Sequence, residues 1–125
     1  MPPSAPAIVL FAHGSRDPLW RAPIEAVAAY IRQHHPERLV RCAYLECCAP
    51  TLAEAAAELI AHSAQHICIV PMFLGTGRHA REDLPRLLAQ LQATHPAVRF
   101  TLQGAVGEDP RVTALMAAIA CESPP

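Results

Sequence analysis

The sequence predicts a three-layer α/β fold built on a four-stranded parallel sheet. Short apolar runs, partly of β-branched residues, alternate four times with segments whose apolar residues recur at helical spacing. This alternation is typical of parallel strands joined by right-handed helical crossovers, with helices on both faces of the sheet. At 125 residues the chain has the length of one domain, which we expect to span residues 1–125.

Four apolar runs are the predicted strands. They are Ala7–Ala12, Leu39–Leu45, His66–Met72 and Val98–Leu102. The third run contains Pro71, and proline cannot donate a hydrogen bond to a neighbouring strand. We therefore expect Pro71 at the carboxyl end of that strand, where the pairing finishes.

Each predicted strand is followed by a segment with one apolar stripe, at the spacing of a helix that buries one face. The four stripes are Ile24, Val27, Ala28 and Ile31; Leu52, Ala55, Ala56, Leu59 and Ile60; Leu84, Leu87, Leu88 and Leu91; and Val112, Leu115, Met116 and Ile119. The prolines agree with these boundaries, because Pro36 and Pro96 follow predicted helices whereas Pro50 and Pro110 precede them.

Composition excludes several classes of protein. Hydrophobic residues make up 52% and charged residues 17% of the chain, which is too apolar for a disordered protein. The net charge of -1 argues against a nucleic-acid partner. All 10 basic residues are arginine, so the sequence has neither a Schiff-base lysine nor a P-loop lysine.

Neither a membrane span nor an export signal is expected. No apolar stretch approaches the roughly 18 residues that a span needs, and Met1–Ala7 lacks the basic region of a signal peptide. The 5 cysteines are odd in number and have no C-x-x-C spacing, which favours free thiols in the cytoplasm. The proline- and serine-rich ends, residues 1–6 and 123–125, are expected to be flexible tails.

The candidate site lies where the predicted strands end, because ligands of open α/β sheets bind beyond the carboxyl ends of the strands. His13 follows the first strand, Glu46 follows the second, and His79 closes the segment after the third. If the strand order is the flavodoxin-like 2-1-3-4, these strands are neighbours and the three side chains can converge. Two imidazoles and one carboxylate suit a divalent ion such as Co²⁺, Ni²⁺, Fe²⁺ or Zn²⁺ and leave coordination positions open.

Glycines and arginines surround this predicted edge. Gly14, Gly75 and Gly77 permit sharp turns and let a flat ligand approach the backbone closely. Arginine side chains on or just after the same loops are suited to hold carboxylates by paired hydrogen bonds. These arginines are Arg16, Arg21, Arg78 and Arg81.

Each of these features also has a purely structural interpretation. A histidine after a strand is often an ordinary loop residue, and Glu46 is also placed to cap the next helix. Gly75-Thr76-Gly77 also fits a simple turn or a nest for an anion, and the arginines also fit a solvated face. The remaining histidines fall at helix ends or solvent-facing positions and are interpreted as structural. They are His34, His35, His62, His66 and His95.

Three segments of the sequence resemble one known family. They are IVLFAHGSR at 8–16, YLECCAP at 44–50 and VPMFLGTGRHAREDLP at 70–85. Together they are similar to the small sirohydrochlorin cobaltochelatases, which are class II, ATP-independent chelatases of tetrapyrroles. The resemblance spans roughly residues 7–112, nearly the whole predicted domain.

The resemblance implies a half-lobe of the chelatase fold that inserts Co²⁺, with Ni²⁺ or Fe²⁺ as further candidates, into the carboxylate-rich tetrapyrrole sirohydrochlorin. It implies His13 and His79 as metal ligands, with His13 also a proton acceptor, and no nucleotide. It places Glu46 at the substrate, so we predict His13 and Glu46 as the catalytic residues. The predicted substrate contacts are Ser15, Arg16, Glu46, Leu74, Gly75, Thr76, Gly77, Arg78 and His79.

Larger members of that family carry two such lobes in one chain, so the resemblance also implies a homodimer that encloses the macrocycle. The predicted function is a cytoplasmic, metal-inserting lyase on the route to cobalamin, with a tetrapyrrole as partner and neither nucleic acid nor membrane. Three alternatives stay open. Two are iron insertion for sirohaem by the same ligands and a non-catalytic carrier of metal or tetrapyrrole. A third is a binder of phosphate ligands that uses Gly75-Thr76-Gly77.

Overall fold

A computed structural model of the chain describes residues 5–122, apart from the side chain of His79. The described residues form strands and helices in strict alternation, as predicted. They are β1 (Ala7–Ala12), α1 (Ala22–His34), β2 (Val40–Tyr44), α2 (Leu52–Ala61), β3 (His66–Pro71), α3 (Arg78–Thr94), β4 (Arg99–Leu102) and α4 (Pro110–Cys121). Two short 3-10 helices, Pro18–Arg21 and Val106–Glu108, precede α1 and α4.

The sheet has the predicted order. All pairs are parallel, and the strands run β2-β1-β3-β4 across the sheet. Strand β3 ends at Pro71, which lies opposite Phe11 of β1, so the prediction that this proline terminates the strand is confirmed. Residues 1–4 and 123–125 of the predicted tails lie outside the described residues. Of the rest, Pro6 accepts hydrogen bonds through its carbonyl from both Nε and Nη2 of Arg38, at 2.9 and 2.7 Å.

One face of the sheet carries the main hydrophobic core. Helices α2 and α3 cover it, and alternate residues of the central strands point into it, among them Val9, Ile67 and Ile69, which are fully buried. Helix α2 presents four buried residues, so its predicted stripe is confirmed. This face fixes the rotation of β1 and β3, because a slip of one residue would turn every apolar side chain to the opposite face.

The opposite face is covered by a single helix. Helix α1 packs on β1 and β2, where Leu10, Ala28 and Val40 form a small buried cluster. Of the predicted α1 stripe only Ala28 is fully buried, and the other three residues are half-buried. The sheet is therefore sandwiched between α1 and the pair α2 and α3, which confirms the three layers.

Helix α4 departs from the prediction. Its stripe was expected to be buried against the sheet, but no residue of α4 is buried, and the helix packs mainly on the adjacent 3-10 helix Val106–Glu108. Its first turn is capped by the Asp109 carboxylate, which accepts from the Arg111 backbone N–H at 2.8 Å. The helix thus forms with its apolar stripe facing solvent. Among the described residues, none of the helices has the length and apolar character that crossing a membrane requires.

Candidate functional site

His13 and Glu46 are neighbours at the carboxyl edge of the sheet. The pairing of β1 with β2 continues past both strands, because the Leu45 N–H donates to the Ala12 carbonyl at 2.9 Å and the Glu46 N–H to the His13 carbonyl at 3.0 Å. Both side chains are exposed to solvent. The structure therefore brings together two of the three residues that were predicted to converge here.

The imidazole of His13 packs on an aromatic ring that the sequence analysis did not single out. The rings of His13 and Phe73 have centroids 4.5 Å apart and are tilted by 31°. Phe73 itself is buried and also contacts Phe11 at 6.3 Å between ring centroids. One face of the imidazole is thus supported by the core. The only sequence signal for this role is that Phe73 directly follows the third predicted strand.

Gly14 makes the approach of the first loop to the second strand possible. Its φ of +99° lies in the left-handed region that favours glycine, and a Cβ at this position would collide with the Glu46 carbonyl oxygen. The same Cβ would lie 3.2 Å from the Cβ of Tyr44. The backbone next to His13 therefore passes over the end of β2 in a way that a side chain would block.

The rest of the first loop is held by its own polar groups. The Ser15 hydroxyl accepts from the Asp17 N–H at 3.1 Å, and the Asp17 carboxylate accepts from the Leu19 N–H at 2.9 Å. Arg16 lies between them with an exposed side chain. Arg16 follows His13 by three residues in this loop. Because its side chain is exposed, the Arg16 guanidinium can contact a ligand that arrives from solvent.

The loop between β3 and α3 is anchored from one side and open on the other. The Phe73 carbonyl accepts from the Gly107 N–H at 2.8 Å, and the Thr76 hydroxyl donates to the Glu108 carboxylate at 3.2 Å. Gly107 has no room for a Cβ, because the backbone of Leu74 fills that space. The Leu74 side chain is 69% exposed, so this loop presents an apolar residue to solvent beside the candidate site.

Arg78 and His79 lie in the first turn of α3 and not in the loop, which was expected to extend to His79. Gly77 is the residue before the helix, and the exposed Arg78 guanidinium donates to Glu82 at 3.2 Å. The side chain of His79 lies outside the described part of the structure. Among the side chains that are described, no three of the His, Cys, Asp and Glu type form a group able to hold a metal ion.

A second polar feature lies on the outer side of β2. The Tyr44 hydroxyl and the Arg21 Nε are buried and find no hydrogen-bond partner among the described residues. Burial, reinforced by the nearby Cys42, raises the pKa of Tyr44 to about 12, so the phenol keeps its proton at neutral pH. Burial likewise raises the pKa of the Cys42 thiol. These groups border a cavity of about 290 Å³.

A larger groove, of about 580 Å³, lies beyond the end of β4. Gly104, Glu108, Arg111 and Leu115 are among its lining residues. Because Glu108 also accepts the hydrogen bond from Thr76, the groove adjoins the loop between β3 and α3. None of the site residues predicted from the sequence is among its lining residues. The Arg111 guanidinium holds the pKa of Asp109 down to about 2, so both groups are charged and paired.

The structure thus gathers an exposed imidazole, an exposed carboxylate and an anchored glycine loop on one edge of the sheet. An imidazole can bind a metal ion or accept a proton, and a carboxylate can do either as well. Such an edge can act on a flat ligand that lies across it, since the His13 and Glu46 side chains are exposed to solvent. A single domain can contact only one face of such a ligand.

Comparison with known proteins identifies the family. The CbiX family model matches residues 7–123. The chain is 35% identical over 82 residues to a sirohydrochlorin cobaltochelatase of Methanopyrus kandleri, which covers 66% of this chain and 57% of that protein. It is 40% identical over 81 residues to one of Saccharolobus solfataricus, covering 65% of this chain and 62% of that protein. The aligned part thus spans about three-fifths of these relatives.

Solved structures agree with this match. A cobalamin biosynthesis CbiX protein described as putative, from Marinobacter aquaeolei, superposes with a TM-score of 0.83 at 28% identity, over 94% of this chain and 93% of that chain. The sirohydrochlorin chelatase SirB of Bacillus subtilis subspecies spizizenii, in complex with cobalt, gives 0.77 at 26% identity, over 93% of this chain but 50% of that one. With a family model that matches almost its whole length, the chain belongs to the CbiX family.

Proposed function

We propose that this chain is a chelatase that inserts Co²⁺ into sirohydrochlorin without nucleotide hydrolysis. The observation that carries the proposal is the adjacency of His13 and Glu46 on an open sheet edge in a chain of the CbiX family. The names of the relatives, sirohydrochlorin cobaltochelatase, support both the macrocycle and the metal. In this proposal the metal ion is a substrate.

The reaction exchanges one divalent ion for two pyrrole N–H protons. His13 and His79 first bind the ion. Because they supply only two ligands, coordination positions on the ion stay open for the nitrogens of the macrocycle. As the ion moves to the macrocycle, the freed nitrogen of His13 accepts one of the released protons, because it cannot hold ion and proton at once. The Glu46 carboxylate balances the charge of the ion and accepts the second proton.

The loops around the edge are proposed to hold the macrocycle. Gly75 and Gly77 leave open space above their backbone, so a flat ring can approach closely there. The exposed guanidinium groups of Arg16 and Arg78 are suited to pair with its carboxylates. The Ser15 hydroxyl and the Thr76 hydroxyl complete the polar contacts, and Leu74 lies against the ring.

The protein is proposed to act as a homodimer in the cytoplasm. Since the candidate edge is exposed, a second copy is needed to enclose a flat macrocycle from the other side. The cobalt-bound SirB chain is about twice as long as the part that matches here, which supports two lobes for one site. The five cysteines are all free, which fits a reducing compartment.

The test is an anaerobic absorbance assay with sirohydrochlorin and Co²⁺, Ni²⁺ or Fe²⁺. We expect fastest metallation with Co²⁺ and an amount of product that exceeds the protein. His13→Ala is expected to reduce the rate by about 100-fold or more, and Glu46→Gln is expected to reduce it while the fold is kept. The matched control is His35→Ala, which removes an exposed imidazole after α1, at the opposite end of the sheet.

Three outcomes would contradict the proposal. Product that stops at the concentration of protein indicates a carrier. A faster rate with Fe²⁺ assigns the chain to iron insertion. A His13→Ala variant as active as His35→Ala removes His13 from the site.

A further inference from the structure

The cavity between α1 and the outer side of β2 contains two buried hydrogen-bond donors without an acceptor. Tyr44 is only 2% exposed, and neither its hydroxyl nor the Arg21 Nε has a hydrogen-bond partner among the described residues. Both side chains line the cavity. A buried polar group without a partner costs free energy, and in native proteins an ordered water or an ion usually satisfies it. The two donors therefore indicate a ligand at this place.

The neighbouring side chains do not supply the missing acceptor. The Cys42 thiol lines the same cavity, but sulfur is a weak acceptor, and this thiol itself donates to the Ile24 carbonyl at 3.9 Å. Glu25 also lines the cavity, yet its carboxylate forms no ion pair within the described part of the chain. An acceptor from outside the chain is therefore the partner that fits both donors.

The charge around the cavity favours an anion over a neutral ligand. Three arginines and one glutamate line it: Arg21, Arg32, Arg41 and Glu25. Arg41 already donates to Glu58 at 2.8 Å, so two arginines face one glutamate and an excess of one positive charge remains. Arg21 is also the residue before α1, and the start of a helix favours negative charge. A water molecule would satisfy the donors but would not neutralise this charge.

We propose that this cavity binds a small oxyanion, a phosphate or a carboxylate group, whose oxygens accept from the Tyr44 hydroxyl and the Arg21 Nε. The exposed Arg32 adds its charge from the solvent side. Guanidinium groups bind such oxygens strongly, and a cavity of about 290 Å³ suits a group of this size better than a large cofactor. Burial raises the pKa of Tyr44 to about 12, so its hydroxyl stays a donor at neutral pH.

The bound oxyanion joins the loop after β1 to the end of β2. Arg21 closes the segment that begins at His13, and Tyr44 is the last residue of β2, two residues before Glu46. The Trp20 ring already packs edge-on against that of Tyr44, with centroids 6.4 Å apart. A ligand held by both segments stabilises their contact. This role goes beyond the proposed function, because it requires neither a metal ion nor a macrocycle.

The first test titrates inorganic phosphate into the whole chain by calorimetry, with equal ionic strength of sodium chloride as the reference. We expect one phosphate per chain. Tyr44→Phe and Arg21→Gln are each expected to weaken binding by about 10-fold or more, since a hydrogen bond to a charged ligand is lost. Glu25→Gln is expected to strengthen it several-fold, because it removes a repelling carboxylate. The matched control is Arg86→Gln, which removes an exposed arginine of α3 and is expected to bind like the wild type.

A second readout separates an oxyanion from a trapped water. Without phosphate we expect Tyr44→Phe to unfold at the same temperature as the wild type or higher, because it removes a buried hydroxyl that has no partner. Phosphate at low millimolar concentration is expected to raise the Tm of the wild type and of Arg86→Gln more than that of Tyr44→Phe. A Tyr44→Phe variant that is less stable than the wild type without phosphate, and that responds to phosphate as the wild type does, would indicate a water and overturn the inference.

Two further arms identify the source of the oxyanion. Acetate in place of phosphate tests a free carboxylate. Sirohydrochlorin added without metal competes with phosphate if the oxyanion is a carboxylate of the macrocycle, and leaves phosphate binding unchanged if it is a free anion. Absence of binding by both phosphate and acetate, or binding that Tyr44→Phe and Arg21→Gln leave intact, overturns the inference. Because the titrations involve no metallation, this inference and the proposed function can each fail while the other holds.

Discussion

Gly14 is the single residue on which the geometry of the candidate site depends most directly. Its left-handed backbone lets the chain after His13 cross the end of β2, in contact with the Glu46 carbonyl. Any other residue at this position adds a side chain to a backbone conformation that disfavours it and to a space that is already filled. The adjacency of His13 and Glu46 therefore rests on a residue with no functional group.

We expect Gly14→Ala to lower the free energy of unfolding by roughly 1–3 kcal/mol from backbone strain, and to slow metallation because His13 and Glu46 move apart. Urea unfolding and the anaerobic assay measure the two effects. Gly75→Ala is the control for the unfolding measurement, since nothing lies within 4 Å of a Cβ there. Equal stability of the two alanine variants would contradict this account of Gly14.

His66 is a residue whose titration links stability to pH. Its Nε2 lies 3.1 Å from the Thr101 hydroxyl. Burial, with a contribution from the nearby Arg99, lowers the pKa of His66 below its ordinary value of 6.5. In the window between the lowered pKa and 6.5 the unfolded chain binds more protons than the folded chain. Stability therefore falls as the pH drops through this window.

We expect the wild type to lose more unfolding free energy than His66→Gln when the pH is lowered from about 7 to about 5.5. Urea unfolding at several pH values measures the difference in unfolding free energy between the two proteins. The other histidines are the same in both, so their contributions cancel in this difference. His35→Gln serves as a comparison that removes an exposed imidazole. If His66→Gln and the wild type show parallel pH profiles, His66 makes no such contribution.

Among the elements, α2 is the one whose local sequence and tertiary packing agree most closely. The Thr51 hydroxyl accepts from the Glu54 N–H at 3.2 Å, and the Glu54 carboxylate accepts from the Thr51 N–H at 2.9 Å. This reciprocal capping box starts the helix where its buried stripe begins at Leu52. The hydrogen bond from the Thr51 backbone lowers the pKa of Glu54.

Thr51→Ala is expected to lower the free energy of unfolding by about 1 kcal/mol, the usual cost of losing an N-cap side chain. Thr51→Ser keeps the hydroxyl and is expected to stay close to the wild type. Urea unfolding of the three proteins is the measurement. A serine variant as unstable as the alanine variant would show that the methyl group, and not the cap, stabilises this helix.

At the scale of the whole molecule, the domain has one well-covered and one incompletely covered sheet face, and its candidate site opens on the edge between them. The covered face supplies the main core and therefore the stability of the monomer. The open edge is the surface that the proposed dimer encloses. Assembly and activity are thereby expected to depend on each other.

We expect the metallation rate per chain to fall when the protein is diluted below the dissociation constant of the dimer, because the population of dimer follows mass action. Parallel sedimentation measurements give the fraction of dimer at each concentration. A rate per chain that stays constant while the dimer dissociates would show that one copy carries out the reaction alone.

Much of this molecule follows from the sequence because local patterns carry it. The alternation of strands and helices, the end of β3 at Pro71 and the placement of His13 and Glu46 after neighbouring strands all rest on the spacing of apolar residues and prolines along the chain. Strand order then determines which loops meet, since parallel strands bring their carboxyl ends to one edge.

The tertiary structure alone decided the features that depend on contacts between distant segments. The support of His13 by Phe73 and the fit of Gly107 against Leu74 join residues from separate loops, and no periodicity reports such contacts. The apolar stripe of α4 is a further feature whose burial the sequence alone does not determine. An apolar period reveals that a helix has a face to bury, but only the three-dimensional path of the chain determines whether its own domain supplies the surface that buries it.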